Sequence, residues 1–257
     1  MATTNEKFIV YWLGYHQNPP AMQSLPSGID IINIFLFNLE STTNGTSINY
    51  NYLTSQGTSW SDIQSQVKAV QAQGVKVCAS IIPPNSSLNW NTIPDPDTFA
   101  LNLYNVITSW GFDGIDIDPE QGGVAPNQNF VAVIQALSKY FGPQSSTGLI
   151  MSYVGYQFYS DQTVLNPCAS MFNHVMTMGY FWGYNMMIQQ FANYAGIVGD
   201  QNVLIGIGGD PFQTPLSETQ QLASWEPTGS SKGGMMEFNI NDDPNYASAN
   251  AIISALK

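Results

Sequence analysis

Acidic and apolar residues alternate strictly in a short stretch near the middle of the chain, 115–120 (IDIDPE). Successive side chains of a β-strand point to opposite faces, so Asp116, Asp118 and Glu120 share one face and apolar residues pack behind them. Three neighbouring carboxyl groups repel one another, and burying them is costly unless they share protons or have partners. Because perturbed carboxyl groups concentrate at functional sites, the stretch predicts a catalytic strand.

Two plainer interpretations of the stretch are an exposed edge strand and a calcium site. The edge strand is disfavoured because the preceding residues 110–112 (WGF) have the composition of a buried segment. A calcium loop carries turn residues between its ligands, whereas isoleucines stand there in this chain. The two cysteines, Cys78 and Cys168, provide neither a disulfide framework nor a zinc cluster. We therefore predict no metal site.

Composition limits the classes of partner. The chain has 257 residues, 44% of them hydrophobic, and a formal net charge of −12. This charge argues against nucleic acid and anionic membrane surfaces and suits a neutral or cationic substrate. No repeat, linker, signal peptide or membrane-spanning run is visible, so we expect a single domain over residues 1–257 and a monomer, and the compartment stays open.

Eight short apolar segments, mostly separated by helical stretches, predict parallel strands with crossover helices. Their near-continuous apolarity fits strands covered on both faces. Eight such units close a (β/α)8 TIM barrel, without an inserted subdomain in a chain of this length. The alternative is a doubly wound open sheet, but the glycine-rich turn of a dinucleotide-binding sheet is missing after the first segment. The segments are 8–13, 29–39, 75–82, 112–120, 148–153, 174–180, 203–208 and 233–240.

Active sites of such barrels lie at the carboxyl ends of the strands, where Glu120 ends the fourth segment. The same rim is predicted to be rich in aromatic residues, which could stack on sugar rings, although any one ring could equally belong to the core. Glu237 could be a further rim carboxylate or could face the helices in a salt bridge. The predicted substrate-binding residues are Tyr11, Trp12, Phe37, Ser80, Tyr153, Trp182, Tyr184 and Phe238.

The acidic stretch resembles the DGxDxDxE signature of family 18 glycoside hydrolases, a family of chitinases and endo-β-N-acetylglucosaminidases. All five fixed positions match, namely Asp113, Gly114, Asp116, Asp118 and Glu120. The segment 233–238 (GGMMEF) is similar to the family's final-strand pattern GGxMxW, and 178–181 (MGYF) to its M-x-Y-D pattern. Ser80 stands where the SxGG pattern begins, so the resemblance extends over essentially the whole chain.

The chain also departs from these patterns. Ser80 is not followed by the glycine pair, Phe181 replaces a common Asp or Asn, and Phe238 replaces the tryptophan of many chitinases. In an alternative alignment of the sixth segment, Met176 matches the motif methionine and Met178 takes the place of the tyrosine. That alignment leaves the tyrosine's role unassigned.

The resemblance implies a retaining, substrate-assisted mechanism without metal or organic cofactor. Glu120 is then the general acid, and the nucleophile is the 2-acetamido oxygen of the substrate, which forms an oxazolinium ion. Asp118 orients the acetamido group, Asp116 shares a proton or hydrogen bond with Asp118, and Tyr180 donates to the acetamido oxygen. Asp113 and Gly114 are expected to be structural.

The implied substrate is a glycan containing β-1,4-linked N-acetylglucosamine. The missing tryptophan and the compact chain slightly favour the chitobiose core of N-glycans over chitin. A catalytically weak or inactive lectin or storage protein on the same barrel is the alternative. Those relatives usually lose the catalytic Glu or the middle Asp, whereas this chain retains Glu120 and Asp118.

Overall fold

The computed structural model describes residues 6–256, in which strands and helices alternate along most of the chain. The strands are β1 (Lys7–Leu13), β2 (Ile31–Thr42), β3 (Gly45–Asn49), β4 (Lys76–Ile82), β5 (Gly114–Ile117), β6 (Ile150–Gly155), β7 (His174–Thr177), β8 (Val203–Gly208) and β9 (Gly234–Phe238). The helices are α1 (Trp60–Gln71), α2 (Pro96–Trp110), α3 (Gln128–Leu137), α4 (Phe158–Cys168), α5 (Tyr184–Val198), α6 (Leu216–Ser224) and α7 (Ala247–Ala255).

Eight of the strands form a closed parallel barrel, which confirms the predicted (β/α)8 fold. Their order is β1-β9-β8-β7-β6-β5-β4-β2, and β1 also pairs with β2 to close the circle. Each pairing in this circle is parallel. The remaining strand, β3, pairs antiparallel with the extension of β2. None of the helices in the described range is long and apolar enough to span a membrane.

Two apolar layers build the core, one inside the barrel and one between the strands and the helices. Side chains that point inward include Ile9, Phe35 and Met176, whereas Ile115 and Ile117 belong to the outer layer. Because the strands are covered on both faces, apolar residues occupy almost all of their positions. The alternation predicted for the acidic strand is therefore correct, with its isoleucines facing outward and Asp116 facing inward.

The acidic strand is shorter than the predicted segment 112–120. Its pairing ends soon after Ile117, and the last link is the Asp118 backbone N–H, which donates to Ile81 O at 3.0 Å. Pro119 has no N–H to continue the ladder, so Asp118 and Glu120 lie in the loop beyond the strand. This loop stands at the carboxyl end of the barrel, which is where a catalytic site is expected.

Asp113 and Gly114, at the start of β5, serve the barrel itself. Asp113 accepts hydrogen bonds from the Gln71 amide at 2.7 Å, the Lys76 ammonium at 2.8 Å and the Val77 backbone N–H at 3.0 Å. A Cβ atom at Gly114 would lie 2.3 Å from Ile150 O on β6, which no side chain could tolerate without movement of the backbone. Both residues fit the structural roles expected of them.

Two elements were not predicted from the sequence. Helix α4 contains Pro167 and has only a short apolar face, formed by Val164, Leu165 and Cys168. A proline inside a helix disfavours the helical prediction, and the packing of this face against the barrel overrides that local preference. Strand β3 forms a hairpin with β2, whose ladder continues as far as Thr42.

All five lysines of the described range lie away from the carboxyl ends of the strands, and the full sequence contains no arginine. Lys7 and Lys76 are the first residues of β1 and β4, and Lys232 precedes β9. Lys68 lies in the last turn of α1, and Lys139 follows α3. Helices of a parallel barrel run back toward the amino ends of the strands, so these cations stand away from the mouth.

Lys232 is buried at the junction of the first and last strands. Its ammonium lies 2.6 Å from Glu6 Oε1 and 3.1 Å from Glu226 Oε1. It also donates to the carbonyl oxygens of Ala223 at 3.0 Å and Trp225 at 2.9 Å. Because a buried charge is costly without partners, this set of oxygens holds the ammonium in place.

Candidate active site

Asp116 lies in the interior of the barrel, where three hydroxyl groups surround its carboxylate. Tyr11 and Ser80 donate to its Oδ2 at 2.6 and 2.8 Å, and Ser152 donates to its Oδ1 at 2.7 Å. Ser80 and Ser152 are the pairing partners of Asp116 on β4 and β6, so the strand register brings them together. Burial raises the pKa of Asp116, and the three hydroxyls oppose this rise.

Asp118 is buried immediately beyond β5, and its main chain is fixed on both sides. The Trp90 indole N–H donates to its carbonyl oxygen at 2.7 Å, and its Oδ1 accepts the backbone N–H of Glu120 at 2.8 Å. Within residues 6–256 no hydrogen bond joins Asp118 to Asp116, and the sharing of a proton between them stays a prediction. Burial, followed by the charge of Glu120, raises the pKa of Asp118 well above its usual range.

Glu120 is the most accessible of the three carboxyl groups and stands at the edge of a cavity of about 220 Å³. Burial raises the pKa of its carboxyl group, and the charge of Asp161 raises it further. Asp118 and Glu120 therefore form a pair of carboxyl groups with increased proton affinity. Such a pair can hold one proton near neutral pH, which a general acid requires.

Tyr180 lies beyond β7, on the side of the site formed by the last strands. Its ring stacks on Phe238 with a centroid distance of 5.6 Å and an interplanar angle of 12°. Burial, and then the charges of Asp118 and Glu120, raise the pKa of its hydroxyl well above the usual range. Because it stays protonated beside the pair, Tyr180 can donate a hydrogen bond to a bound molecule. Met178, the tyrosine position of the alternative alignment, is buried in the barrel core.

Three residues predicted at the rim point instead toward the helices, which corrects their placement. Trp12 donates its indole N–H to Pro20 O at 2.8 Å, and Phe37 packs edge-on against Trp60 and Phe112. Tyr153 is fully buried in the outer core. Trp12 and Tyr11 are neighbours on one strand, so they cannot both point inward. Phe37 follows an irregularity in the register of β2 that reverses the facing of its side chains.

Two further predicted residues lie too deep to line the rim. Tyr11 and Ser80 are almost fully buried, and both donate to Asp116, so they support a carboxylate rather than an open surface. Tyr184 is the first residue of α5 and packs on the outer core. Of the predicted set, only Trp182 and Phe238 remain at the mouth, with Trp182 42% exposed.

The mouth also contains aromatic residues that the sequence analysis did not assign to binding. Phe181 and Phe212 are 44% and 42% exposed, and their ring centroids lie 4.8 Å apart. Phe35 faces the barrel interior and contacts Tyr11 and Phe238 with centroid distances of 6.0 and 5.8 Å. With Tyr180, Trp182 and Phe238 they form an aromatic surface beside the carboxyl pair. Only a register of β2 known in advance could have identified Phe35.

The sequence analysis also missed Asp161, which stands in the first turn of the unpredicted helix α4. Its carboxylate lines the same cavity as Glu120. Glu237, by contrast, belongs to the helical side of β9. Burial raises the pKa of its carboxyl group well above the usual range, and the charge of Asp243 and a side-chain hydrogen bond with Asp243 raise it further. The two open interpretations of Glu237 are therefore resolved in favour of the helices, without a salt bridge.

The site as a whole combines a carboxyl pair of raised pKa, a tyrosine donor and an aromatic wall at the mouth of a parallel barrel. Among residues 6–256 no group of three His, Cys, Asp or Glu side chains is arranged to hold a metal ion. The arrangement can deliver a proton to a leaving oxygen and stabilise positive charge that develops beside Asp118.

Comparison with known proteins agrees with this chemistry. Endo-beta-N-acetylglucosaminidase F2 from Elizabethkingia meningoseptica is 25% identical over 255 residues, covering 91% of this chain and 70% of that protein. An endo-beta-N-acetylglucosaminidase from Cordyceps militaris has the same fold, with a TM-score of 0.76, 21% identity and coverage of 98% and 91% of the two chains. A GH18 chitinase from Pseudoalteromonas aurantia has a TM-score of 0.75, 18% identity and coverage of 97% and 100%.

Barrel, acidic strand and relatives together define a glycosidase of glycoside hydrolase family 18. The model of the endo-beta-N-acetylglucosaminidase EndoS TIM-barrel domain matches residues 5–237, and the chain belongs to that family.

Proposed function

We propose that the chain hydrolyses the β-1,4 linkage beside an N-acetylglucosamine residue by substrate-assisted catalysis with retention of configuration. The observation that carries this proposal is the unequal surroundings of the three carboxyl groups. Asp116 is tied to three hydroxyls, Asp118 is buried beside Glu120, and only Glu120 reaches the cavity. Because of these different surroundings, Asp116 can hold the strand in place, Asp118 can stabilise positive charge, and Glu120 can exchange protons with the substrate.

In the first step Glu120 transfers its proton to the glycosidic oxygen as the bond from this oxygen to the anomeric carbon breaks. The acetamido carbonyl oxygen of the same sugar forms a new bond to the anomeric carbon, which gives the oxazolinium ion. Asp118 accepts a hydrogen bond from the acetamido N–H and stabilises its positive charge. Tyr180 donates to the acetamido oxygen and orients it for attack.

In the second step Glu120, now a carboxylate, removes a proton from water as the water oxygen attacks the anomeric carbon. The oxazolinium ring opens and the acetamido group is restored, so the product keeps the original configuration. Asp116 remains bound to its three hydroxyls throughout and limits the movement of the strand that carries Asp118. A substrate without a 2-acetamido group provides no nucleophile and should not be cleaved.

For the substrate we favour the chitobiose core of N-glycans, with chitin as the second candidate. The F2 relative and the matching family model are named for endo-β-N-acetylglucosaminidases, and this supports the first choice. Phe238 at the position of the chitinase tryptophan points the same way, whereas structural neighbours that are chitinases keep chitin open. A lectin or storage protein is the remaining alternative, and the intact Asp118 and Glu120 argue against it.

The test uses a high-mannose glycoprotein and a soluble chitooligosaccharide with wild type and Glu120→Gln. We expect wild type to cleave the glycoprotein faster, and the substitution to lower product release by at least about a thousandfold, since it removes the transferable proton. Glu218→Gln, on the outer helix α6, is the matched control and should retain full activity. Binding of either sugar without cleavage by wild type would support a lectin instead.

A further inference from the structure

Asp161 is a buried carboxylate held by four donors on three sides. Its Oδ1 accepts the hydroxyl of Tyr153 at 2.7 Å, and its Oδ2 accepts the hydroxyl of Tyr194 at 2.7 Å. The backbone N–H groups of Tyr156 and Gln157 also donate to Oδ2, at 3.0 and 3.1 Å. Donors of this kind stabilise an anion, and they fix the position of its charge.

Asp161 and the catalytic residue Glu120 line the same cavity. The cavity of about 220 Å³ is lined on one side by Glu120 and the residues that follow it, and on the other by Tyr156, Gln157, Ser160 and Asp161. Both residues border this cavity, and Asp161 is almost fully buried. A low local dielectric strengthens the interaction between two charges.

We propose that Asp161 is a positioning residue that acts through Glu120, because its fixed negative charge keeps the catalytic proton on the Asp118–Glu120 pair until substrate takes it. The proposal rests on the function proposed above, in which that proton is transferred to the glycosidic oxygen. Asp161 contacts neither Asp118 nor Glu120 through a hydrogen bond within residues 6–256. Its influence is electrostatic, and therefore distinct from the roles of the three motif carboxylates.

The negative charges around the pair all act in one direction, toward a higher pKa of its carboxyl groups. The charge of Asp161 raises the pKa of Glu120, and it contributes to the raised pKa of Asp118. Tyr153 and Tyr194 are neutral and donate to Asp161. Tyr180 is also neutral and lies beside the Asp118–Glu120 pair. No lysine contributes to the pKa of Asp118, Glu120 or Asp161 in the described part of the chain. In this range no cation offsets the repulsion that holds the proton, and the backbone N–H of Glu120, which donates to Asp118, is the contribution that lowers the pKa of Asp118.

The effect of Asp161 must itself depend on pH. Burial raises the pKa of Asp161 to about 6, and its four donors oppose this rise. Above that pH Asp161 is anionic and repels a second negative charge on the pair. Below it Asp161 is neutral, and its influence on the pair disappears. An uncharged replacement should therefore resemble the wild type at low pH and differ from it at neutral and higher pH.

The alternative role of Asp161 is purely structural, because it joins the end of β6, the start of α4 and the middle of α5. Loss of a structural contact lowers activity by a similar factor at every pH at which the protein is folded. The alkaline limb of the plot of kcat/KM against pH reports the loss of the proton from the pair in the free enzyme. Loss of the Asp161 charge therefore moves this limb. The two roles can thus be separated.

The experiment compares pH profiles of kcat/KM for wild type, Asp161→Asn and Tyr194→Phe on the cleaved substrate. For Asp161→Asn we expect equal activity near pH 5 and an alkaline limb lowered by about one pH unit, which corresponds to about tenfold less activity on that limb. Tyr194→Phe removes one donor and so raises the pKa of Asp161, but it keeps a carboxyl group that ionises at higher pH, so its limb should move less than that of Asp161→Asn. An unmoved limb in folded Asp161→Asn, or an equal shift in both variants, overturns the proposal.

A second measurement needs neither activity nor a variant of Asp161. The chain has six glutamates, so labelling the carboxyl carbons of glutamate gives few NMR signals. The signal that disappears in Glu120→Gln is the signal of Glu120. In the wild type this signal should show an additional inflection near pH 6, where Asp161 ionises. A Glu120 titration without that inflection contradicts the proposal. If no substrate is cleaved but the inflection is present, the proposed function fails while the coupling stands.

Discussion

The hydroxyl of Tyr11 on β1 donates to the carboxylate of Asp116 on β5 at 2.6 Å, across the interior of the barrel. The two strands are not neighbours in the sheet. This hydrogen bond joins two sides of the barrel wall at the base of the catalytic site. The acidic strand is consequently fixed by side chains as well as by its ladder.

Removal of that hydroxyl tests its contribution. Tyr11→Phe leaves Asp116 with two donors, so we expect a loss of roughly 2 kcal/mol in the free energy of unfolding, because the bond is buried and its acceptor is charged. We also expect kcat to fall with little change in KM, since Tyr11 does not reach the mouth. Urea unfolding and steady-state kinetics measure both effects. Tyr159→Phe is the control, since Tyr159 is 88% exposed, and equal behaviour of the two variants would contradict this prediction.

Glu237 predicts an unusual stabilising substitution. Its buried carboxyl group faces Asp243, and its pKa is raised well above the usual range by burial and then by this neighbour. The unfolded chain releases the proton near pH 4.5 and the folded chain keeps it, so stability falls with rising pH by about 1.4 kcal/mol per pH unit until Glu237 ionises. Glu237→Gln removes this dependence.

We therefore expect Glu237→Gln to be more stable than wild type at pH 7, by a margin that grows between pH 5 and pH 7. Urea unfolding at three pH values in this range measures the margin. A margin that stays constant or shrinks as the pH rises would show that Glu237 is ionised in the folded protein. Tyr159→Phe, a change at an exposed position that removes no carboxyl group, serves as control.

His174 predicts the opposite response, a loss of stability in acid. Burial lowers its pKa to about 4, and Lys7 acts in the same direction while Asp30 opposes it. Between pH 6.5 and pH 4 the unfolded chain takes up a proton that the folded chain does not. This difference lowers the free energy of unfolding by on the order of 3 kcal/mol. His174→Gln should lose less stability over this range than wild type. Urea unfolding at pH 6.5 and at pH 4 measures the loss in both proteins, and an equal loss would contradict this prediction.

The distribution of lysines predicts selection against anionic glycans. No lysine of the described range stands at the carboxyl ends of the strands, where Asp118, Glu120 and Asp161 lie. For two glycopeptides that differ only in terminal sialic acids, we expect the neutral one to have a kcat/KM about threefold higher at 10 mM salt. The difference should narrow at 300 mM salt. Equal kcat/KM values for the two glycopeptides at both salt concentrations would contradict this prediction.

The sequence predicts the barrel and the acidic strand well because both depend on local rules. Alternation over Asp116 and Asp118 follows from the pleat of a strand, and the barrel follows from the repetition of apolar segments. Trp12 was misplaced because a strand covered on both faces is apolar throughout, so its pattern does not tell inside from outside. Phe37 was misplaced because the irregularity in β2 changes the facing of side chains without a recognisable sequence signal.

Asp161 was missed for a different reason. Its significance depends on Tyr153, Tyr194 and Glu120, which lie far from one another in the sequence or on separate elements. The helix that carries it was not predicted, since Pro167 and several polar residues conceal its short apolar face. Trp90 is similar, because its bond to the main chain of Asp118 comes from a turn between β4 and α2. Such relationships arise only when the barrel has closed.

The buried ammonium of Lys232 has a consequence for how the chain folds. Its partner Glu6 precedes the first strand, whereas Lys232 and Glu226 precede the last, so these charges meet only when the circle of strands is complete. A partly folded chain that lacks the last strand leaves Glu6 without its cation and β1 without one of its neighbours. The cluster therefore favours an all-or-none transition, in which incomplete barrels are poorly populated.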